Sequence, residues 1–305
     1  MISLTSIHLL LTYRCTDECD HCFLWSSPKA RGTMTLRQIR DVLMQAQALG
    51  TVEVVFFEGG EPFLFYPIMV EGLREAADRG FKLGVVTNCY WATSTDDAEH
   101  WLRPLADIGV DDLSLSTDLF HGDALMTTEA VNAIEAARRL GLPESTITIE
   151  KPGGCSPSEG GDRGEPVSGG QVRFRGRAVD TLLDGMERRP WTEFTECPSE
   201  DFANPGRVHV DSFGNVHVCQ GLVMGNLWER PLIEIVQSYE PRAHPIIGPL
   251  LEGGPAALVG KYALPHEDTY ADACHLCYLA RDALRSRFPE LLAPPTAYGD
   301  LEDAC

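Results

Sequence analysis

The first 150 residues alternate short apolar runs with longer amphipathic segments. The runs SIHLLLTY, VEVVFF, KLGVVTN, DDLSLSTD and STITIEK have the length of β-strands, and segments with helical periodicity separate them. In the first of these helices, Thr35 is the expected N-cap and Gly50 the expected end. Apolar strands separated by helices pair in parallel through right-handed crossovers, so the pattern predicts a β/α barrel or an open part of one.

The alternation is interrupted at residues 152–170, where Gly, Pro and Ser predict a long loop, either a lid over the barrel or a disordered segment. QVRFRG is the expected sixth strand. After about residue 181 the chain is irregular, apart from a hairpin predicted in RVHVDSFGNVHVC. The predicted fold is α/β: a partial (β/α)6 TIM-like barrel over 1–180, a smaller cysteine-rich C-terminal domain over 181–290, and a loosely ordered tail over 291–305.

Polar motifs follow each of the first four predicted strands. They are TYRCTDECDHCF, EGGEP, TN and STD, in chain order. In β/α barrels the reactive groups lie at the C-terminal ends of the strands. We therefore expect these four motifs to meet at one mouth of the barrel.

The charge of the chain excludes one class of partner. With 25 basic and 45 acidic residues, the net charge is -20, which opposes an electrostatic grip on nucleic acid. No apolar run approaches membrane-spanning length, and the N-terminus lacks a basic leader and a cleavage site. We expect a cytoplasmic protein without nucleic-acid or membrane partners, whose thiols stay reduced.

The ten cysteines fall into two groups and three isolated positions. Clustered thiols in a reducing compartment indicate metal binding rather than disulfides. The isolated Cys89, Cys155 and Cys305 have no assigned role. The two groups, three thiols near the N-terminus and four further along, are Cys15, Cys19, Cys22 and then Cys197, Cys219, Cys274, Cys277.

Three thiolates in a CxxxCxxC spacing can hold three irons of a 4Fe-4S cluster and leave the fourth iron open. A zinc ion bound by the three cysteines and His21 is the alternative. His21 is adjacent to Cys22, where sharing one metal is sterically awkward. The spacing therefore favours iron-sulfur over zinc.

The CxxxCxxC motif is followed by the aromatic Phe23, and GGEP at residues 59–62 follows the second strand. Two motifs in this order resemble the radical S-adenosylmethionine (SAM) superfamily over roughly residues 5–180. The resemblance implies a 4Fe-4S cluster whose open iron chelates SAM and whose electron cleaves SAM to a 5'-deoxyadenosyl radical. That radical takes a hydrogen atom from the substrate, and a flavodoxin- or ferredoxin-type donor supplies the electron.

The resemblance also implies which residues contact SAM. The glycines of GGEP permit close approach to the methionine amino group, strand-end polar groups reach the ribose or carboxylate, and an arginine pairs with the methionine carboxylate. Turn and capping roles are an open alternative for the strand-end residues. The implied set is Phe23, Gly59, Gly60, Glu61, Pro62, Asn88, Ser114, Ser116, Asp118, and Arg175 or Arg177.

Four thiolates, as in the second cysteine group, can close a structural zinc site or a second 4Fe-4S cluster, and spacing alone slightly favours zinc. A hairpin and a downstream CxxC after such a barrel resemble the twitch domain, a shortened SPASM domain. The resemblance implies an auxiliary 4Fe-4S cluster held by all four thiols. Replacement of one ligand by His209, His217 or Cys155 stays open.

An auxiliary cluster could accept the electron left after hydrogen abstraction, which favours a two-electron oxidation by an oxidoreductase. If the substrate must also lose a proton, the candidate bases near the mouth are Glu58, Tyr90, Asp118 and His121. Structural roles are open for each of them.

Two kinds of substrate and one other class of protein fit these observations. Compact size and the absence of an N-terminal extension for a leader peptide favour a small molecule, such as a sugar or aminocyclitol alcohol. Modification of a ribosomal peptide or protein is the rival. A non-catalytic zinc or iron-sulfur protein is the alternative of a different class.

Overall fold

The computed structural model describes residues 2–122, 124–153 and 163–300. It contains a nine-stranded sheet in the order β10-β9-β8-β1-β2-β3-β4-β5-β6. These strands are β1 Ser6–Thr12, β2 Val54–Gly59, β3 Lys82–Thr87, β4 Asp112–Ser116, β5 Glu144–Glu150, β6 Gly169–Gln171, β8 Arg207–Val210, β9 Asn215–Cys219 and β10 Leu222–Asn226. A separate pair is formed by β7 Arg189–Pro190 and β11 Thr269–Tyr270.

The α-helices connect and cover these strands. They are α1 Leu36–Leu49, α2 Tyr66–Asp78, α3 Thr95–Ile108, α4 Thr128–Leu140, α5 Ala178–Thr181, α6 Leu232–Gln237, α7 Ile247–Tyr262 and α8 Ala273–Leu284. Three short 3-10 turns span Pro62–Phe65, Trp191–Glu193 and Pro295–Tyr298. None of the helices in the described ranges is both long enough and apolar enough to span a membrane.

Strands β1 to β6 pair in parallel, which confirms the predicted partial TIM-like barrel. Alternate side chains of each strand point to opposite faces of the sheet. Phe57 packs toward the helices, within reach of Gly72 on α2. Its neighbours Phe56 and Glu58 therefore point to the barrel interior, where the Phe56 ring stacks on that of His8.

The first helix begins and ends as its sequence predicts. Thr35 accepts a hydrogen bond from the backbone of Gln38, whose side chain in turn accepts from the Thr35 backbone. Gly50 ends the helix with a left-handed backbone and a φ of 77°. This capping box and glycine stop fix α1 and the direction of the chain into β2.

The predicted sixth strand is wrong in its position. The strand is Gly169–Gln171, and QVRFRG leaves the sheet after its first residue. Val172 and Phe174 are buried in a separate apolar cluster with Ala178. Burial of these side chains away from the sheet outweighs their strand-like alternation, and it carries the two following arginines toward the cysteine loop.

The predicted hairpin is confirmed as β8 and β9, in antiparallel pairing. Strand β8 also pairs in parallel with β1, so that His209 lies opposite His8. The hairpin therefore extends the barrel sheet beyond β1. The domain boundary at residue 180 stays a prediction.

The segment expected to be a loosely ordered tail is packed where the structure describes it. Leu292, Ala297 and Tyr298 are buried, and the Tyr298 hydroxyl donates to the Gly221 carbonyl at 2.7 Å. Apolar side chains and this buried hydrogen bond hold the segment in place. Cys305 and the rest of 301–305 lie outside the described residues.

His244 stabilises the start of α7, and this role predicts a pH effect. Its Nδ1 accepts hydrogen bonds from the backbone of Ile246 and Ile247, both at 3.1 Å. Burial lowers the pKa of His244. Since the unfolded histidine protonates near pH 6.5 and the folded one only below that, stability should be lost as the pH falls below about 6.5.

Urea unfolding of the cluster-free protein by circular dichroism measures this effect. We expect His244→Ala to lower the free energy of unfolding at pH 8 by about 1 kcal/mol and to reduce its fall below about pH 6.5. His100→Ala, at an exposed site on α3, is the control. If the free energy of unfolding of His244→Ala depends on pH as it does in the wild-type protein, the capping role of His244 is contradicted.

Candidate functional site

The loop after β1 carries Cys15, Cys19 and Cys22. Cys15 is buried and the other two thiols are partly buried. The Cys15 backbone donates to the Ser27 carbonyl at 3.1 Å, and the Cys22 backbone donates to the Cys19 carbonyl at 3.0 Å. The loop thus folds back on itself and presents three thiols from a short stretch of chain.

The glycine motif is bonded to the start of this loop. The Gly60 backbone donates to the Thr12 carbonyl at 2.7 Å, and the Glu61 backbone donates to the Arg14 carbonyl at 2.9 Å. A Cβ at Gly59 would lie 2.4 Å from the Thr12 oxygen, and the φ of Gly59 is 133°. Only glycine fits here, because the two backbones lie in direct contact.

Glu61 ties the same turn to the end of β3. Its buried carboxyl accepts hydrogen bonds from the backbones of Phe63 and Asn88 and from the Thr87 hydroxyl, at 2.8–3.1 Å. Burial raises the pKa of Glu61 to about 7. The side chain is fully engaged inside the protein, so any contact of GGEP with a ligand has to come from its backbone.

Asn88 connects β3 to the cysteine loop. Its side-chain nitrogen lies 2.8 Å from the Thr16 hydroxyl and 2.8 Å from an Asp17 carboxylate oxygen, and it also contacts the Cys15 sulfur at 3.7 Å. The end of β3, the glycine turn and the cysteine loop therefore form one connected unit. A direct contact of Asn88 with SAM stays a prediction.

The donor set fits an iron-sulfur cluster. The Ser26 backbone donates to the Cys22 sulfur at 3.3 Å, and hydrogen bonds to sulfur are a feature of such sites. Burial raises the pKa of Cys15 to about 12 and that of Cys19 still further. Buried thiols of this kind ionise when a metal centre supplies the positive charge.

The two arginines predicted to pair with the SAM carboxylate contact the cysteine loop and the second cysteine group. The Arg177 guanidinium donates to the Cys19 and Ser26 carbonyls, both at 2.7 Å, and lies over the Trp25 ring. Arg175 lies over the Phe23 ring and donates to the Cys219 sulfur. Pairing of either arginine with the SAM carboxylate stays a prediction.

Asp118 and His121 form a pair after β4. Their Oδ1 and Nδ1 atoms lie 2.8 Å apart, and Asp118 also accepts from the Phe120 and Ile149 backbones. Burial would raise the pKa of Asp118, but His121, His21 and the Ile149 backbone N–H together outweigh burial and lower that pKa. A neutral His121 therefore carries its proton on Nδ1 and has a free lone pair on Nε2.

His21 packs beside this pair. Its ring stacks on Phe120 at 4.2 Å, and its Nε2 lies 4.0 Å from an Asp118 oxygen. Burial lowers the pKa of His21 to about 4. The ring thus groups with Asp118 and His121, which weakens the zinc alternative that paired it with the cysteines.

The two strand-end serines lie at different depths. The Ser114 hydroxyl forms hydrogen bonds with the Asp112 carboxylate at 3.2 Å and with the Ser145 hydroxyl at 3.0 Å. Ser116 lies one pleat nearer the mouth, on the same face of β4. The bonds of Ser114 assign it a structural role in the barrel, and ligand contact by Ser116 stays a prediction.

Glu58 and Tyr90, the other candidate bases, also lie near this end of the barrel. Burial would raise the pKa of Glu58, but His8 and His209 outweigh it and hold that pKa well below its usual range. Burial raises the pKa of Tyr90, whose backbone is held by the Asn88 side chain. At neutral pH Glu58 is a carboxylate and Tyr90 a neutral phenol.

The four cysteines of the second group, from three separate parts of the chain, line one cavity. The Glu200 backbone donates to the Cys197 sulfur, and Arg175 donates to the Cys219 sulfur, both at 3.4 Å. Burial raises the pKa of Cys197 to about 12. The thiols that line the cavity are Cys197, Cys219, Cys274 and Cys277.

Two arginines, one buried and one partly buried, line the same cavity. Arg281 is 2% exposed, and its Nε has no hydrogen-bond partner among the described residues. Arg175 reaches the cavity from the other side and is paired with Glu200 at 3.5 Å. Two cations beside four thiols fit an anionic group, as a thiolate-ligated cluster is.

Sequence reasoning missed Glu200 and Arg281, because neither belongs to a local motif. His217, weighed as a ligand, instead bonds to the buried Asp211 at 3.1 Å. His209 lies beside Glu58 at 2.9 Å and not among the lining residues of the cavity. Cys155 lies outside the described residues.

Comparison with known proteins agrees with this geometry. The family model described as "Radical SAM superfamily" matches residues 9–150, which include the cysteine loop and the glycine motif. This match identifies a radical SAM domain over residues 9–150. Such a domain implies an enzyme with a 4Fe-4S cluster and SAM, in place of a non-catalytic binding protein.

Two curated radical SAM relatives come from Bacillus subtilis (strain 168). YydG, whose name refers to peptide biosynthesis, is 25% identical over 144 residues, 47% of this chain and 44% of YydG. The subtilosin biosynthesis protein AlbA is 38% identical over 81 residues, 26% of this chain and 17% of AlbA. The chain therefore spans less than half the length of either relative.

Among solved structures, BtrN in complex with AdoMet and 2-DOIA matches with a TM-score of 0.51. The match has 16% sequence identity and covers 76% of this chain and 81% of BtrN. At this identity the likeness concerns the fold alone. It supports the mixed α/β fold with a partial barrel.

Proposed function

We propose that this radical SAM enzyme oxidises its substrate by two electrons, with a SAM-binding cluster at Cys15, Cys19 and Cys22 and an auxiliary cluster at the second cysteine group. When bound, the first cluster and SAM supply a 5'-deoxyadenosyl radical that abstracts hydrogen. The observation that carries the proposal is the convergence of four thiols, from three separate parts of the chain, and two arginines on one cavity.

The chain's own residues would hold and orient the first centre. Arg177 fixes the backbone of the cysteine loop, and Asn88 and Glu61 hold the loop against the glycine turn. With Gly59 and Gly60 in place, backbone groups of the turn are close to the thiols and suited to bind the methionine part of SAM. An external flavodoxin- or ferredoxin-type protein would supply the electron.

The second group would close its cluster with four protein ligands. Two sets of side chains in the described ranges are spaced for a single ion, and both consist of histidine and carboxylate without cysteine. The thiol sets fit a wider, multi-iron group better than a single zinc. Arg175 and Arg281 would stabilise the negative charge and raise the reduction potential.

The Asp118–His121 pair suits proton removal from an alcohol. Asp118 holds the His121 tautomer whose Nε2 can accept a proton, and it would stabilise the charged ring that results. Loss of a hydrogen atom, a proton and one further electron converts an alcohol to a carbonyl. We therefore favour an alcohol of the sugar or aminocyclitol kind as substrate.

A peptide substrate is the second candidate. The names of YydG and AlbA both refer to the biosynthesis of peptides or a bacteriocin. Formation of a new bond in a peptide with loss of two hydrogen atoms has the same electron balance. The two candidates differ in substrate size, not in the use of the two cysteine groups.

Substitution of His121 tests the proposed base. With a panel of deuterated sugars, aminocyclitols and peptides, we expect deuterium in 5'-deoxyadenosine and equimolar oxidised product. His121→Gln should lower product formation by about 10²-fold while SAM cleavage persists. Mass spectrometry measures both products.

The exposed His100→Ala is the control, and it should leave both yields unchanged. Deuterium transfer from peptides but not from alcohols would move the assignment to the second candidate. If His121→Gln gives the product yield of the wild-type protein, His121 is not the base that removes the substrate proton.

A further inference from the structure

Three side chains from three strands converge inside the barrel: His8 from β1, Glu58 from β2 and His209 from β8. Glu58 Oε1 lies 3.3 Å from His8 Nδ1 and 2.9 Å from His209 Nε2. One ligand atom from each residue lies within 4.8 Å of the other two. We call this set the His8–Glu58–His209 cluster.

The distances between the ligand atoms of the three side chains match those between ligands of one metal ion. Bonds from zinc to histidine nitrogen or carboxylate oxygen are about 2.0–2.2 Å, so two ligands of one ion lie about 3.0–3.5 Å apart. The two measured separations from Glu58 are close to that range. Two histidines and one carboxylate are a common donor set for zinc and for iron(II).

Glu58 alone does not satisfy the buried polar atoms of His8. The side chain is 3% exposed; its Nδ1 faces Glu58 at 3.3 Å without good hydrogen-bond geometry, and its Nε2 has no hydrogen-bond partner among the described residues. Phe56 stacks on the ring at 4.6 Å and holds it in place. A buried ring nitrogen without a partner costs about 1–3 kcal/mol, which a bound ion would offset.

The nitrogen of His209 is also placed for a ligand. Its Nε2 lies between the Glu58 carboxylate and the Arg207 guanidinium, the latter at 3.3 Å. One nitrogen cannot donate to the carboxylate and accept from the arginine in the same tautomer. Glu200 lies 3.3 Å from Arg207 and neutralises its charge, so the site does not repel a cation strongly.

The protonation states suit metal binding. Burial lowers the pKa of His209 to about 3, which keeps the ring neutral. The two histidines hold Glu58 as a carboxylate. Neutral imidazole and carboxylate are the forms that coordinate a metal.

We propose that His8, Glu58 and His209 bind one divalent first-row metal ion, of the zinc or iron(II) class, inside the barrel. Three protein ligands leave a coordination position open, as in catalytic zinc sites. Glu58 immediately precedes Gly59, so an ion here would lie just below the glycine turn and could bind an oxygen of the substrate. This site does not depend on the proposed function.

Cobalt(II) is a suitable probe. Protein with its clusters loaded and oxidised is EPR-silent, so added cobalt(II) is seen alone, and its coupling to ¹⁵N-labelled histidine reports imidazole ligands. We expect one histidine-coupled cobalt(II) per chain. His8→Ala and the nearly isosteric Glu58→Gln should each weaken binding by at least tenfold, with unchanged circular dichroism.

His121→Ala is the matched control, because His21, Asp118 and His121 form the other set spaced for an ion. Retained binding in this control supports the His8–Glu58–His209 cluster. Absence of histidine-coupled cobalt(II) in the wild-type protein would overturn the proposal. So would a signal that survives in folded Glu58→Gln but disappears in His121→Ala.

Discussion

Replacing Cys15, Cys19 and Cys22 together with alanine is expected to reduce reductive cleavage of SAM to the background rate. The three thiols are the only cysteines in the described part of the loop between β1 and α1, and without them the open cluster has no ligands. The auxiliary cluster should keep its absorption and EPR spectra, since its cavity shares no cysteine with the loop. Anaerobic assay of 5'-deoxyadenosine with dithionite measures the loss.

Cys89→Ala is the matched control for the triple variant. Cys89 is fully buried next to Asn88, but it lies outside both cysteine groups. We expect the control to retain cleavage of SAM. Cleavage at the wild-type rate by the triple variant would refute the assignment of this cluster.

Replacing Cys274 and Cys277 with alanine is expected to have the second large effect. Both thiols come from α8, and the variant would leave two of the four ligands in the cavity. Iron should fall from about eight to about four per chain, the content of one 4Fe-4S cluster. Without the second electron acceptor, SAM cleavage should continue while formation of oxidised substrate stops.

The Cys155→Ala variant tests whether Cys155 is a ligand of the auxiliary cluster. With four thiols already at the cavity, we expect this control to keep about eight irons. About four irons in the wild-type protein, or stoichiometric zinc, would contradict the auxiliary cluster. A loss of iron in Cys155→Ala would mean that Cys155 is a cluster ligand in place of one of the four assigned cysteines.

Local features of the sequence predicted the barrel and the first centre. Strand and helix periodicities, the capping box at Thr35 and the spacing of the three cysteines each depend on residues close in the chain. GGEP was identifiable for the same reason. Such features can be predicted from the sequence because residues close in the chain determine them.

Long-range contacts could not be predicted in the same way. Arg177 folds onto carbonyls more than 150 positions earlier in the chain, and β8 pairs with β1 across about 200 positions. Burial of Val172 and Phe174 in a separate cluster displaced the expected sixth strand. Glu58 and His209 were predicted for other roles, as a base and as a possible cluster ligand, and no local feature joined them to His8 of the first strand.

The central claim is that the missing fourth thiol of the cysteine loop leaves a place for SAM. Electron-nuclear double resonance on reduced Cys274→Ala/Cys277→Ala protein isolates the first cluster, since the auxiliary one is absent. With SAM labelled by ¹⁵N in its amino group and ¹⁷O in its carboxylate, the account predicts coupling of both nuclei to the cluster. Binding of SAM without either coupling would contradict it.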